Sequence, residues 1–418
     1  MSREGLQERE SAAEGFGLPP VGGEAPRPAC GRAVEAARRA VLQAERIAVV
    51  SKFRFMGDTL VATPFLAQLR RYAPHARIAL LASPSAVTAM THCPYVDELL
   101  PLETRRMSRW HHSRELYALL RAGRYAAAFL LNRSLHCALM ATLARIPARI
   151  GYATDLRRPL LAATIPYGFD RHEACQHLDM LRILGFPAED ALPSLWIAPE
   201  EEERARRLLR EQDGVNTDEG RPLIGVQPGA NDAPIRAWGA ERYARVADTL
   251  ADEIGGVIVI MGGAGEEAEG ERMARALRHR PINLVGRLKL REALAVIGQC
   301  GLWLGNDTGL LHAAVAQRVA SVGLFGPNKI LRWGYDTPRH RSLVVFPERP
   351  AQDDATVRRC LDAISEAQVL ETARAVYRAS RIEPGGTAPS HNGNGRAAES
   401  PYFQVAPALK SLLPGRRR

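Results

Sequence analysis

The sequence predicts an α/β protein made of two doubly wound parallel sheets facing a cleft. Three observations carry this. Short apolar runs alternate with longer amphipathic stretches, the pattern of parallel strands joined by crossover helices. The alternation starts twice, near residue 46 and again near residue 223, on either side of a junction at 190–220. Polar, glycine-containing turns follow several apolar runs, at the edge where open α/β sheets bind ligands.

The elements follow in order. Residues 1–32 are rich in Gly, Pro, Glu and Ala and read as a disordered leader. Glu4, Glu8, Glu10 and Glu14 and the lack of an apolar core do not fit a signal peptide. A helix over 33–45 runs into a strand of Ile47, Ala48, Val49 and Val50. After a loop at 52–58, a helix over 59–72 groups Leu60, Pro64, Leu66 and Leu69. Strands follow at 78–82, 96–100 and 125–131. The second half opens with a helix at Pro199-Glu200, acid-first and then arginine-rich, as the helix dipole favours. After a polar loop at 213–221 come a strand at 223–226, a helix at 240–254, and strands at 257–261 and 282–285. A helix at 290–300 leads into Leu302-Trp303-Leu304, a run too short for a helix and read as a buried strand. The turn Asn306-Asp307-Thr308-Gly309, a helix at 310–316 and a strand at 319–325 complete that unit. Helices at 356–378 precede a tail from 383 that reads as disordered.

Composition narrows the partners. The net charge of +10 favours a phosphorylated substrate, an anionic membrane surface or nucleic acid. The basicity is nearly all arginine, with lysine only at Lys52, Lys289, Lys329 and Lys410. The six cysteines are scattered without a C-x-x-C pair, which argues against zinc and for reduced thiols. No apolar run approaches the ~20 residues of a membrane-spanning helix.

The turns carry the chemistry. Asp307, Thr308 and Gly309, with His312 one helical turn on, supply a carboxylate, a hydroxyl, a close backbone approach and an imidazole. Free N–H groups at a helix start favour an anion such as phosphate. In blander terms Asp307 is an Asx-turn or cap and His312 a satisfied core histidine. As a metal pair they lack a third ligand. Asp58, read alone, caps the helix from Thr59. Gly229 and Arg236 place a glycine and a cation after another strand, and Trp238 reads as structural. Gly263, Gly265 and Ala268 have dinucleotide-fingerprint spacing, but no acidic residue ends the following strand, so NAD is set aside.

Taken together, the motifs resemble those of glycosyltransferase family 9, the bacterial heptosyltransferases, over roughly residues 46–378. Asp307-Thr308-Gly309, His312 and Ala314 resemble the family's D-[ST]-G-x-x-H-x-A. Gly57-Asp58 through Thr63-Pro64 and Leu66 resemble G-D-x-x-x-x-[ST]-P-x-[LI]. Gly262-Gly263 with Glu266 resembles G-G-x-x-[ED]. Arg236-Ala237-Trp238 stands where the family has K-x-W, with a planar fork in place of a point charge. Arg149-Ile150-Gly151-Tyr152, Arg332-Trp333-Gly334 and the stretch from Cys360 to Ile364 also fit.

The resemblance implies a GT-B fold: two Rossmann-like doubly wound domains facing a cleft, with disordered N- and C-terminal tails. Its expected parts are a leader (1–32), an acceptor domain (33–200), a donor-nucleotide domain (201–350), terminal helices (351–382) and a tail (383–418). The implied reaction is inverting, metal-independent transfer of heptose from ADP-heptose to a lipopolysaccharide-core or related acceptor. Asp58 would take the proton of the attacking hydroxyl. Gly229, Arg236, Glu266, Asp307, Thr308, Gly309 and His312 would bind the donor, the cation stabilising the departing diphosphate. Gly57, Arg105, Arg106 and Arg109 would bind the acceptor, although the basic region to which these arginines belong reads equally as a solvated helix face. The implied partners are a nucleotide sugar, serving as substrate with no cofactor, and a phosphorylated glycolipid at the inner membrane surface. The chain would be a cytoplasmic monomer, peripheral to the cytoplasmic membrane, with no nucleic-acid partner. Two rivals stand beside this reading: a GT-B enzyme with another nucleotide sugar or a non-lipopolysaccharide acceptor, and a non-enzymatic nucleic-acid-binding protein, disfavoured by the 6% aromatic content and the lack of a binding motif.

Overall fold

The computed structural model describes residues 31–103, 109–211, 220–230, 234–348, 353–382 and 400–404. The first half holds α1 (Arg32–Leu42), β1 (Arg46–Val50), α2 (Met56–Leu60), α3 (Thr63–Tyr72), β2 (Arg77–Ala82), α4 (Pro84–Ala89) and β3 (Glu98–Pro101). It continues through α5 (Arg109–Ala122), β4 (Ala127–Leu130), α6 (Leu135–Leu143), β5 (Ala148–Tyr152), β6 (Ala163–Ile165) and α7 (Glu173–Arg182). The second half holds α8 (Pro199–Arg210), β7 (Leu223–Gln227), α9 (Ala240–Ile254), β8 (Val257–Ile260), α10 (Glu267–Ala276), β9 (Ile282–Asn283) and α11 (Leu290–Gly298). After these come β10 (Leu302–Asn306), α12 (Gly309–Ala316), β11 (Ala320–Leu324), α13 (Ile330–Trp333), β12 (His340–Leu343), α14 (Asp354–Asp362) and α15 (Glu366–Ile382).

Every strand pairing in the two sheets is parallel. The first sheet has the order β3-β2-β1-β4-β5-β6 and the second β12-β11-β10-β7-β8-β9. Counted within its own half, each therefore runs 3-2-1-4-5-6. Strand order reverses between β1 and β4 and again between β7 and β10, and a crevice opens at the carboxyl ends there. Helices on both faces explain the unbroken apolar strands: Ile47 to Val50 have no exposed surface. Burying each large aliphatic side chain of this kind contributes about 1.5–3 kcal/mol.

Some expectations need correction. The helix expected over 59–72 is two helices. Pro64 lacks an N–H and fits only a first turn, so α3 starts beside it, and Thr63 Oγ1 caps the end of α2 by donating to Leu60 O at 2.7 Å. Strands β5, β6 and β12 lacked a readable pattern. Arg149 and Gly151 interrupt β5, β6 has three residues, and β12 is a polar edge strand. The tail expected to be disordered contains a packed segment, 400–404. Tyr402 is 2% exposed and stacks on His172 at 3.9 Å between ring centroids, with a 12° tilt. Its hydroxyl donates to Ala191 O, and its backbone bridges Tyr335. Ser400 Oγ donates to Asp190 at 2.8 Å, and Phe403 N to Gly334 O at 3.0 Å. Burial of the Tyr402 ring offsets the entropy of ordering a short segment inside a Gly- and Asn-rich tail. The segment touches both halves and the chain joining them. Among the described residues, no helix is long and apolar enough to cross a membrane.

Candidate active site between the halves

Lys52 follows β1, Arg133 follows β4, Ala230 follows β7, Asp307 follows β10 and Lys329 follows β11. The loops after the switch-point strands of both sheets thus line one cleft of about 300 Å³. Phe55, Gly57 and Asp58 enter at the start of α2, and Thr308, Gly309 and His312 at the start of α12. Arg236 comes from a 3-10 turn, and Arg332 and Trp333 from α13.

The starts of α2 and α12 abut. A Cβ added at Gly57 would stand 2.9 Å from His312 Cδ2 and 3.3 Å from Gly309 Cα. One added at Gly309 would stand 3.1 Å from Met56 Cε, so both glycines serve this approach. Thr308 occupies the cap position of α12 without capping it, because its hydroxyl donates to Gln227 Oε1 at 2.5 Å. First-turn amides and the positive end of the α12 dipole therefore lie at the cleft without a side-chain cap. Five cations (Lys52, Arg133, Arg236, Lys329, Arg332) line it against two carboxylates, Asp58 and Asp307. Such a site favours an anion.

Asp58 is the third residue of α2. The cap position is Phe55, so the capping role is not the one Asp58 plays. Its side chain is 10% exposed, with Lys52 Nζ 3.3 Å from Oδ1. Burial raises its pKa, and Lys52 opposes that. Behind it lies Glu173, wholly buried, which accepts from Lys52 Nζ at 2.9 Å and from Arg332 and the Tyr167 hydroxyl. Burial pushes the Glu173 carboxyl up, but Lys52 and Arg332 win and hold it well below the usual carboxylate range. Glu173 thus stays ionised and fixes the ammonium that faces Asp58. Lys52 Nζ also sits 4.8 Å from the centre of the Trp333 ring.

On the opposite wall, burial raises the Asp307 carboxyl, while Arg236 and Lys329 oppose it. Arg236 Nη1 lies 3.9 Å from its Oδ2. His312 is 4% exposed and shares a 2.8 Å hydrogen bond with the Tyr335 hydroxyl through Nδ1. Burial drives its pKa down to about 4, so the ring is neutral at physiological pH.

Gly57, Asp58, Arg236, Asp307, Thr308, Gly309 and His312, all singled out from sequence, meet in the cleft. Gly229 and Glu266 do not line it. Glu266 lies beneath the turn, accepting from Gly263 N at 2.6 Å and from Gln227 Nε2 at 3.3 Å. A Cβ at Gly229 would meet its Oε1 at 2.4 Å, so that glycine serves the carboxylate below it. Arg105 and Arg106 lie outside the described residues, as does the side chain of Arg109. Trp238 is fully buried away from the cleft and donates to Ile364 O at 3.0 Å. Sequence reasoning did not mark Lys52, Phe55, Arg133, Ala230, Lys329, Arg332, Trp333 or Glu173 as site residues. A signal existed for two of them. In a chain whose cations are overwhelmingly arginine, two of only four lysines line the cleft, where a compact charge differs from a guanidinium fork. Among the described residues, no group of three or more His, Cys, Asp or Glu is placed to hold a metal ion.

The family description "Glycosyltransferase family 9 (heptosyltransferase)" matches residues 113–361. The chain is 28% identical over 292 residues to lipopolysaccharide heptosyltransferase 2 of Salmonella typhimurium, covering 66% of this chain and 81% of that protein. Its Escherichia coli K12 counterpart is 28% identical over 286 residues with the same shares. Among solved structures, a glycosyltransferase family 9 protein from Veillonella parvula superposes with TM-score 0.68 at 24% identity, covering 80% of this chain and 98% of that one. E. coli ADP-heptose lps heptosyltransferase II gives 0.63 at 23% identity, covering 80% and 99%. Both show the same GT-B architecture of paired sheets about a cleft.

Proposed function

Since this chain belongs to glycosyltransferase family 9, we propose that it moves heptose from ADP-heptose to a lipopolysaccharide-core or related phosphorylated glycolipid, with inversion and without a metal. The observation that carries this is the confrontation across one cleft of a lone first-half carboxylate, Asp58, with a cradle of cations and helix-start amides from the second half. Asp58 takes the proton of the acceptor hydroxyl as its oxygen attacks the anomeric carbon. Arg236, Lys329 and the amides at Gly309 hold the diphosphate and neutralise it as it departs, the work a metal does elsewhere. Asp307, Thr308 and His312 complete the donor side. Base and leaving-group cradle on opposite walls suit a single displacement, hence inversion. The acceptor enters from the first half, past Gly57 and Arg133. The enzyme works in the cytoplasm, at the inner face of the membrane.

The test is mass spectrometry of the product formed from ADP-heptose and heptose-free core acceptors. Asp58→Asn should lower turnover by about 100- to 10,000-fold while ADP still raises the melting temperature. Full turnover in that variant overturns the assignment of the base. Stronger stabilisation by UDP- or GDP-sugars than by ADP-sugars overturns the donor.

A further inference from the structure

Outside the cleft, the first half carries an uncovered apolar stripe. Leu135, Leu139 and Leu143 recur every fourth residue along α6, so they share one face. They are 38%, 41% and 54% exposed, while Cys137, Ala138, Met140 and Ala141 face the core. The 3-10 turn Asp155–Leu160 packs beside α6 and presents Leu156, 76% exposed. The stripe starts at the cleft. Arg133, a cleft residue two positions before α6, lies over the rings of Tyr167 and of Phe169, which is 46% exposed. Exposed Arg133, Arg145 and Arg158 flank the stripe, and α5, packed against α6, exposes Arg114, Tyr117 and Arg121. From residue 109 to 161 the sequence has nine arginines, of which Arg157 is buried, and only two carboxylates, Glu115 and Asp155.

We propose that this face docks on an anionic lipid bilayer, with the α6 leucines and Leu156 entering the headgroup layer and the arginines binding lipid phosphates. An apolar helix face bordered by cations is the pattern of interfacial membrane binding. A protein partner would match the apolar stripe, but the near absence of acids around it selects a surface of dense, uniform negative charge. Because the stripe leads to Arg133, docking turns the mouth of the cleft toward the bilayer, where a lipid-anchored acceptor presents its sugar. This last step rests on the glycolipid reading above, whereas the docking itself does not.

The full chain is floated with phosphatidylcholine vesicles, with and without phosphatidylglycerol, in the absence of both substrates. Retention is expected only on the anionic vesicles and should fall with salt. The triple variant Leu135→Ser, Leu139→Ser, Leu143→Ser and the double variant Arg145→Glu, Arg158→Glu should each lower retention by about tenfold or more. Both should keep the wild-type melting temperature and turnover on a delipidated acceptor. Unchanged retention in the variants, or equal retention on neutral vesicles, overturns the proposal. So does a concentration-dependent dimer that the leucine substitutions disperse, since a second copy then covers the face. Vesicle binding without turnover would instead fault the proposed reaction and leave the docking standing.

Discussion

At the residue scale, the centre of the site is an ammonium held between two carboxylates. Lys52 lies 3.3 Å from Asp58 and 2.9 Å from Glu173. A base must be ionised to accept a proton, and burial has already raised Asp58. Lys52 works against that rise, so Lys52→Met should move the acid limb of the kcat/KM profile to higher pH. An unmoved limb would mean that another group titrates. Glu173→Gln should cost about 3–5 kcal/mol, because it leaves the partly buried Arg332 without its counter-charge and Lys52 with Asp58 alone. The folded pKa of Glu173 is depressed. Its contribution is therefore complete above the unfolded value of about 4.3 and lost as pH falls through the folded value. The melting-temperature gap between wild type and Glu173→Gln should be widest near neutrality and close in acid. Asp307 was legible in the sequence because it sits in the turn after an apolar run, and Asp58 and His312 because they lie in the first turn of the helix that follows such a run. Glu173 was not. It opens an ordinary helix, and only the tertiary approach of Lys52 and Arg332 makes it part of the site.

At the element scale, the decisive contact is between the starts of α2 and α12, which meet through two glycines. Gly57→Ala puts a methyl group 2.9 Å from the His312 ring and must push the helices apart. It should cost about 1–3 kcal/mol and lower kcat far more than ADP affinity, since donor groups on α12 stay together while Asp58 moves away. Matched losses in kcat and ADP affinity would mean that the second half itself is disturbed. The central strands were readable because helices cover both their faces and demand unbroken apolar runs. The edge strands β6 and β12 were not, because β6 has only three residues and the buried positions of β12 are the polar His340 and Ser342. Pro64 divided the expected helix over 59–72, and that division puts Asp58 inside a first turn aimed at the cleft.

At the scale of the whole molecule, stability is tied to neutral histidines. Burial lowers His172 and His340 to about 3 and His177 and His312 to about 4. Between the unfolded value of about 6.5 and these, the unfolded chain binds protons that the folded chain refuses. Each histidine then withdraws up to about 1.4 kcal/mol per pH unit as pH falls. Calorimetry from neutral pH toward about pH 5 should show a steadily falling melting temperature, and His340→Gln should make the fall shallower. A flat profile would contradict this linkage. The two-sheet plan was legible from chain pattern alone, but the joint between the halves was not, because Tyr402 belongs to a stretch whose composition resembles a linker. That tyrosine stacks on His172 and binds Ala191, 211 positions earlier. The ribosome therefore makes every strand of both sheets before it makes this residue. Each lobe can collapse on its own sheet while the nascent chain is still growing. The tyrosine then latches a seam that Arg332 on Glu173 and the meeting of α2 with α12 already hold.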